Sequence, residues 1–225
     1  MKKAVLLSAT LIRHMKSSRL FITGCDVKTQ WMLPWFVENF KKHNPDEELV
    51  IYDFGMEGNL FPEMRKSLRG NQDKGWFKKP ASMLNACQLA DNVCWIDTDC
   101  HVIDNISGIW DHVVPNKLSM AEDVPWSTRR GEKWHNSGVV AFKSTPSILK
   151  EWVSAVATNP VQGDQETLHL LIKDPIQRLK YIEDLPRQYN VLRIDHLDNT
   201  VPKNPKVFHW TGQKGKDKIR SLMNG

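Results

Sequence analysis

The sequence lacks both glycine signatures that cradle phosphates: there is no Gly-x-Gly-x-x-Gly and no Gly-x-x-x-x-Gly-Lys-Ser/Thr. A dinucleotide fold and a P-loop are therefore unsupported, and any bound nucleotide must be held by side chains and metal. The four cysteines, Cys25, Cys87, Cys94 and Cys100, form no Cys-x-x-Cys pair and no zinc spacing. Their apolar surroundings predict reduced, buried thiols in a reducing compartment. No apolar run is long enough to span a bilayer. Ala4–Ile12 is nine residues with Ser8 and Thr10 inside it, against about 20 for a spanning helix. Lys2 and Lys3 ahead of that run resemble a weak signal sequence, but no small-residue cleavage site follows. His14-Met15 has the look of a junction, so residues 1–14 are expected to be a leader outside the fold. Residues 15–225 are expected to form a single domain.

Concentrated charge is also missing. The net charge of +5 and pI near 9.0 are mildly basic, with acids interspersed along most of the chain. No RNA- or DNA-binding motif is present, which argues against a nucleic-acid partner. The balance suits anionic ligands and peripheral contact with a negatively charged membrane surface. Neither internal repeats nor low-complexity linkers occur. Tyrosine is scarce at three residues, whereas tryptophan is abundant at nine. Trp31, Trp35, Trp110 and Trp152 sit in patterns that predict core filling, while Trp126, Trp134 and Trp210 lie near polar motifs and are candidates for a sugar or acceptor platform.

The most informative segment is Asp97-Thr98-Asp99, directly behind the apolar run Val93-Cys94-Trp95-Ile96. That run predicts a short buried strand with two carboxylates at its end. Strand alternation puts Asp97 and Asp99 on one side and Thr98 on the other. Two acids this close repel unless a cation lies between them, and a hard divalent ion such as Mn²⁺ or Mg²⁺ suits oxygen ligands of this kind.

Around it the chain alternates strands and helices. Strands are expected at Leu20–Thr23, Leu49–Asp53, Leu118–Ala121, Gly138–Phe142 and Val207–His209. Helices are expected at Trp31–His43, Ala81–Ala90, Pro146–Ala157 and Gln165–Lys173. The alternation implies an α/β fold with a mostly parallel sheet flanked by helices. Ligands of such sheets bind beyond the carboxyl ends of the strands, where Asp97 and Asp99 lie. Near the C-terminus, His209-Trp210-Thr211-Gly212-Gln213-Lys214-Gly215-Lys216 combines an imidazole, small residues and two cations. This set suits a third metal ligand and a pyrophosphate.

Five blocks, in order, carry a family resemblance. They are Phe21-Ile22-Thr23-Gly24-Cys25-Asp26, Ala90 to Asp99, Trp134-His135-Asn136-Ser137-Gly138-Val139-Val140-Ala141-Phe142, Gly163-Asp164-Gln165-Glu166, and His209 to Lys216. Across Arg19 to Lys218 the chain resembles the nucleotide-sugar glycosyltransferases of the GT-A fold, in pattern the retaining glycosyltransferase family 8 and its relatives. The resemblance implies a single GT-A domain that binds Mn²⁺ or Mg²⁺ through Asp97, Asp99 and His209. It implies that Gly212 and a nearby lysine meet the diphosphate. Here the family spacing is broken, since Lys214 comes one position early and Lys216 one late, so both remain candidates. Thr23, Gly24 and Asp26 are implied at the base and ribose, and Thr98, Asn136 and Lys79 at the donor. Asp164 and Gln165 are implied beside the anomeric carbon. In this reading Lys78, Lys79 and Pro80 precede the helix that leads into the Asp97 strand.

The expected reaction moves a sugar from a nucleoside-diphosphate sugar, with uridine as the default base, to a glycan or other hydroxyl acceptor. Retention of configuration follows from the resemblance; an inverting enzyme would need a general base, for which Asp123 and Asp164 are the candidates. With no membrane anchor read, a cytoplasmic enzyme of bacterial or viral origin is the expected setting. Two rivals exist. A haloacid dehalogenase-type phosphatase also uses Asp-x-Asp after a strand, but has Thr or Val two residues past the second Asp, where this chain has His101. An inactive sugar-nucleotide-binding protein would keep the pocket without the chemistry.

Overall fold

Strand β1 (Ser17–Cys25) alternates its side chains between two cores. Leu20 and Ile22 join one apolar cluster while Phe21 and Cys25 join the other. The same division recurs in β4 (Ala90–Ile96), where Val93 and Trp95 face one cluster and Cys94 and Ile96 the opposite one. A strand apolar on both faces must be covered on both, and this dictates helices on each side of the sheet.

The computed structural model describes residues 16–68, 75–158 and 163–224; the expected leader and Met15 lie outside the described residues. In chain order the elements are β1, α1 (Leu33–His43), β2 (Leu49–Asp53), β3 (Arg65–Ser67), α2 (Gly75–Ala86), β4, β5 (Cys100–Val102), β6 (Leu118–Glu122), α3 (Val124–Arg130), β7 (His135–Lys143), α4 (Ser147–Thr158), α5 (Asp164–Leu171), α6 (Pro175–Tyr181), β8 (Ile182–Asp184), β9 (Val191–Leu192), α7 (Arg193–Leu197), β10 (Val207–His209) and α8 (Gly212–Met223). Seven strands form the main sheet in the order β3-β2-β1-β4-β7-β6-β8. Four of its six pairings are parallel, and the exceptions are β7 against β4 and β7 against β6. The expected mostly parallel α/β sheet is therefore the observed one.

A second sheet of three strands, β5-β10-β9, brings the ends of the chain's chemistry together. β10 runs antiparallel to β5 with His209 opposite Cys100, and Trp210 N–H donates to the Asp99 carbonyl at 3.0 Å. Backbone pairing thus carries His209 to the turn that follows β4.

Two expectations are corrected. The helix read at Ala81–Ala90 starts at Gly75 and ends at Ala86, with Pro80 inside it and Ala90 opening β4. Pro80 looks like a helix start because it cannot donate to the preceding turn. The helix nonetheless extends through it, so Lys78 and Lys79 are helical residues, and burial of Phe77, Lys79 and Met83 fixes its inner face. Second, Asp97 and Asp99 are not the continuation of a strand. β4 ends at Ile96, and Cys100 N–H donates to the Asp97 carbonyl at 3.0 Å, closing a tight turn. Thr98 consequently lines the same cleft as its neighbours instead of facing away. Trp35, Trp110 and Trp152 are buried as expected, with Trp31 packed at the edge of a core. All four cysteines are buried and unpaired.

Candidate active site

A cleft of about 430 Å³ opens at the carboxyl ends of β1 and β4. Its walls carry Gly24, Asp26, Lys79, Asp97, Thr98, Asp99, Asn136, Asp164, Gln165, His209 and Lys216 among the residues singled out from the sequence. Thr23 does not line it; that residue is fully buried within β1. Lys214 and Gly212 are exposed on α8, with Gly212 at φ +71°, while Lys216 turns into the cleft. The turn spacing of α8 explains the choice: Gly215 packs so tightly on the Trp210 backbone that a Cβ there would overlap it, and the helix must present the next residue sideways.

His209 stands at the floor. Its Nε2 lies 3.1 Å from Asp99 Oδ1 and 3.7 Å from Asp97 Oδ2. The ligand atoms of Asp99, Cys100 and His209 all fall within 4.8 Å of one another. Cys100 is the poorer candidate of that group. Burial, then the neighbouring Asp99 charge, pushes its thiol well above the usual range, so it stays protonated, and a hard cation prefers oxygen. Asp97 stands outside that group, its carboxylate 3.7 Å from His209 Nε2 and accepting from the Trp95 indole at 2.6 Å. By donor chemistry the Asp99 carboxylate and the His209 imidazole, with Asp97 beside them, fit a divalent ion.

Electrostatics bind this corner together. Burial disfavours charge on His209, but Asp99 and then Asp97 outweigh it and raise its pKa. Burial would likewise raise Asp99, yet the His209 charge and hydrogen bond hold it below the ordinary carboxylate value. Asp97 goes the other way: burial dominates and raises it, against the attraction of Lys79.

Lys79 is a buried cation, 3% exposed, reaching in from α2. Its ammonium lies 3.1 Å from Asp97 Oδ1, 3.1 Å from Asp164 Oδ2 and 3.1 Å from the Ser137 carbonyl. Burial opposes its charge, and Asp164 and Asp97 together overcome that and raise its pKa. Ser137 links the opposite wall. Its hydroxyl donates to Asp164 at 2.9 Å, and its backbone N–H donates to Gln165 Oε1 at 3.0 Å. Asp164 and Gln165 occupy the first turn of α5, and the Asp164 carbonyl accepts from the Trp152 indole at 2.8 Å. The two residues implied at the anomeric carbon are thus held from the side of β7.

Sequence reasoning missed Ser137 as a hub and Asn190 altogether. Asn190 is 1% exposed and sits between the β8 and β9 segments, next to Asn136 and His209. It is brought there by the short β9 strand, which pairs with β10 in parallel and carries no chemical signal of its own. Asp123 caps α3, accepting from Trp126 N–H at 3.0 Å, and does not line the cleft. The three-tryptophan platform is also corrected. Trp126 packs edge-on against Trp134, Trp134 stacks on His169, and Trp210 stacks on His196, so they form two separate groups. The aromatics at the cleft are Phe54, Trp76 and Trp95. Among the described residues no helix is long and apolar enough to cross a membrane.

No protein-family model matches the chain, and no curated protein matches it. Solved structures do. A galactosyltransferase, LgtC, solved with donor and acceptor sugar analogues, superimposes with a TM-score of 0.62 at 14% identity, over 91% of this chain and 95% of that one. The glycosyltransferase GlyE of Streptococcus pneumoniae TIGR4 gives 0.63 at 18% identity, over 88% of this chain and 56% of that one. A glycosyltransferase involved in glycosylation of the major capsid of PBCV-1 gives 0.62 at 14% identity, over 92% of this chain and 100% of that one. Likeness at such identities speaks for architecture, and with the sheet order and the position of the cleft it identifies that architecture: the chain has the GT-A glycosyltransferase fold.

Proposed function

We propose that the protein is a divalent-metal-dependent glycosyltransferase that moves a sugar from a nucleoside-diphosphate sugar to a glycan or other hydroxyl acceptor, with retention. The observation that carries this reading is the convergence of Asp97, Asp99 and Nε2 of His209 on the floor of one cleft. The cleft's volume of about 430 Å³ is within the range of small-molecule sites.

Asp97, Asp99 and His209 would hold Mn²⁺ or Mg²⁺. A cation there supplies Lewis-acid stabilisation of the negative charge that develops on the diphosphate as the sugar–oxygen bond breaks. Lys216 projects a compact ammonium toward the same charge from the first turns of α8. The positive end of that helix's dipole adds to it. Asp26 holds the loop after β1 by accepting from the backbone of Lys28 and Thr29, which supports a base and ribose site beside Gly24. Asp164, pinned by Lys79 and Ser137, keeps its carboxylate in a fixed orientation at the cleft wall. A fixed carboxylate stabilises the positive charge that develops at the anomeric carbon, and the Gln165 amide oxygen is pre-oriented by Ser137 N–H in the same region. Uridine as the base follows from the sequence resemblance, as does retention. The mildly basic surface supports peripheral contact with an anionic membrane.

The phosphatase alternative gains nothing from the architecture, since β4 lies between a parallel β1 and an antiparallel β7 in a glycosyltransferase fold. The test is a thermal-shift screen of nucleoside diphosphates with and without Mn²⁺, followed by Mn²⁺-dependent release of nucleoside diphosphate from the matching sugar nucleotide. Binding to the folded state alone raises apparent stability by mass action, so the correct nucleotide stands out. No shift with any nucleotide overturns the reading. A shift without turnover over a broad acceptor panel favours the inactive binding protein. Proton NMR of the transferred anomeric centre decides between retention and inversion.

A further inference from the structure

The structure assigns to Asn190 the task of positioning His209, by holding Nδ1 of the imidazole so that Nε2 is the atom offered to a cation between Asp97 and Asp99. This rests on the metal-site reading above.

The assignment follows from one unambiguous donor. A backbone N–H can only donate, and Gly138 N–H points at Asn136 Oδ1 at 2.9 Å. That contact sets the orientation of the Asn136 amide. Asn190 Nδ2 donates to the same oxygen at 2.9 Å. A flipped Asn190 would set two carbonyl oxygens against each other, so its amide is oriented too. An amide oxygen has two lone pairs. Those of Asn136 Oδ1 are taken by Gly138 and Asn190, although His209 Nδ1 also passes within 3.1 Å. Asn190 Oδ1, at 3.1 Å from the same nitrogen, meets no other donor among the described residues and is therefore its principal acceptor. Nδ1 must then carry a proton. The chain of constraint runs from a backbone amide through two side-chain amides to the imidazole.

Space enforces the same orientation. Gly138 lies under the ring, and a Cβ at that position would overlap His209 Cε1 and Nδ1. Asn190 is itself 1% exposed, so water does not substitute for its carbonyl. An imidazole that ligates a metal through one nitrogen characteristically donates its other N–H to an acceptor that fixes ring and tautomer. Asn190 supplies that acceptor from a segment far from the Asp97 turn in sequence.

The experiment measures Mn²⁺ binding to the full chain alone, by electron paramagnetic resonance of free ion, for wild type and for Asn190→Ala, Asn190→Ser, Asp99→Ala and Asn44→Ala. Asn44 is an equally buried asparagine that serves only structure, accepting from Ile106 N–H and donating to the Phe40 carbonyl. Loss of an outer partner of a metal-bound histidine typically costs about 10–100-fold in metal affinity. Asn190→Ala is therefore expected to weaken Mn²⁺ binding by roughly tenfold or more, and Asn190→Ser, which keeps a short acceptor, by less. Asn44→Ala should lose thermal stability while binding Mn²⁺ as wild type does. Should Asn190→Ala not fold, Asn190→Ser and ¹⁵N-imidazole spectra of the wild type with Mg²⁺ decide; a ring protonated on Nε2 overturns the assignment. Wild-type affinity in Asn190→Ala, alongside a lost site in Asp99→Ala, overturns the role of Asn190 and leaves the metal site standing. Absence of Mn²⁺ binding by the wild type overturns both.

Discussion

Lys79 and Asp164 form a buried ion pair, Nζ to Oδ2 at 3.1 Å, and the same ammonium lies 3.1 Å from Asp97. One cation thus ties Asp97, the carboxylate proposed to face the metal, to Asp164, the carboxylate proposed to face the sugar. Breaking a buried pair by removing one partner typically costs about 3–5 kcal/mol, because the other charge is left uncompensated. Lys79→Met is expected to lower unfolding free energy by about that amount, measured by urea denaturation at neutral pH. It should also change the response to metal. With its ammonium gone, Asp97 keeps the Trp95 indole at 2.6 Å and the His209 imidazole at 3.7 Å but loses its nearest full positive charge, so Mn²⁺ should raise the melting temperature of the variant more than that of wild type. An equal shift in both would show that Lys79 and the cation do not share Asp97.

The choice between the two lysines of α8 is equally direct. Lys216 lines the cleft and Lys214 is exposed to solvent. Lys216→Ala is expected to raise KM for the sugar nucleotide by roughly tenfold, the scale of one lost charge-assisted contact. Lys214→Ala should stay within about twofold, as for a surface charge. Steady-state kinetics on the two variants check this, and the reverse ranking would mean that α8 sits in another rotation when donor binds.

Gly138 offers a sharper structural test. Alanine there would overlap the imidazole of His209, and the ring's other contacts, to Asn136 and Asn190, leave it nowhere to retreat. Overpacking of this kind costs about 1–3 kcal/mol or more. Gly138→Ala should lose Mn²⁺ affinity along with that stability. Gly131→Ala, at φ +67° with nothing near its Cβ, should lose stability from backbone strain alone, about 1–2 kcal/mol, and bind Mn²⁺ as wild type does. Paired calorimetric melts and Mn²⁺ titrations separate the two.

How much of this was legible beforehand follows from which forces are local. The strand before Asp97 announces itself because Val93, Cys94, Trp95 and Ile96 are apolar on both faces, and β4 indeed divides them between two cores. Leu49–Asp53 was readable for the same reason and is observed with those bounds. Asp97, Asp99 and His209 were visible as polar residues directly behind apolar runs, whereas Asn136 and Asp164 were reached only through the family resemblance of their blocks. What could not be read was long-range registration. Asn190 follows no apolar run long enough to mark a strand, and its place is set by two residues of β9 pairing with β10. The start of α2 was hidden by Pro80, since proline inside a helix is rarer than proline at its first turn. The tryptophan platform failed because stacking partners come from other elements: His169 takes Trp134 and His196 takes Trp210.

Ser137 joins these long-range contacts to the proposed reaction. Its hydroxyl donates to Asp164 at 2.9 Å and lies 3.2 Å from the Lys79 ammonium, while its backbone N–H orients Gln165. Ser137→Ala deletes the hydroxyl and keeps the N–H, so Gln165 should hold its orientation while Asp164 loses one of its two donors. Removing a buried hydrogen-bond donor to a charged group costs about 1.5–3 kcal/mol. If that interaction serves a carboxylate that stabilises charge only as the sugar departs, the loss should fall on kcat and leave KM for the donor nearly unchanged. A fall in kcat of roughly tenfold or more, with a small change in KM, is the expected result. An effect confined to KM would place Asp164 in ground-state binding of the donor sugar instead.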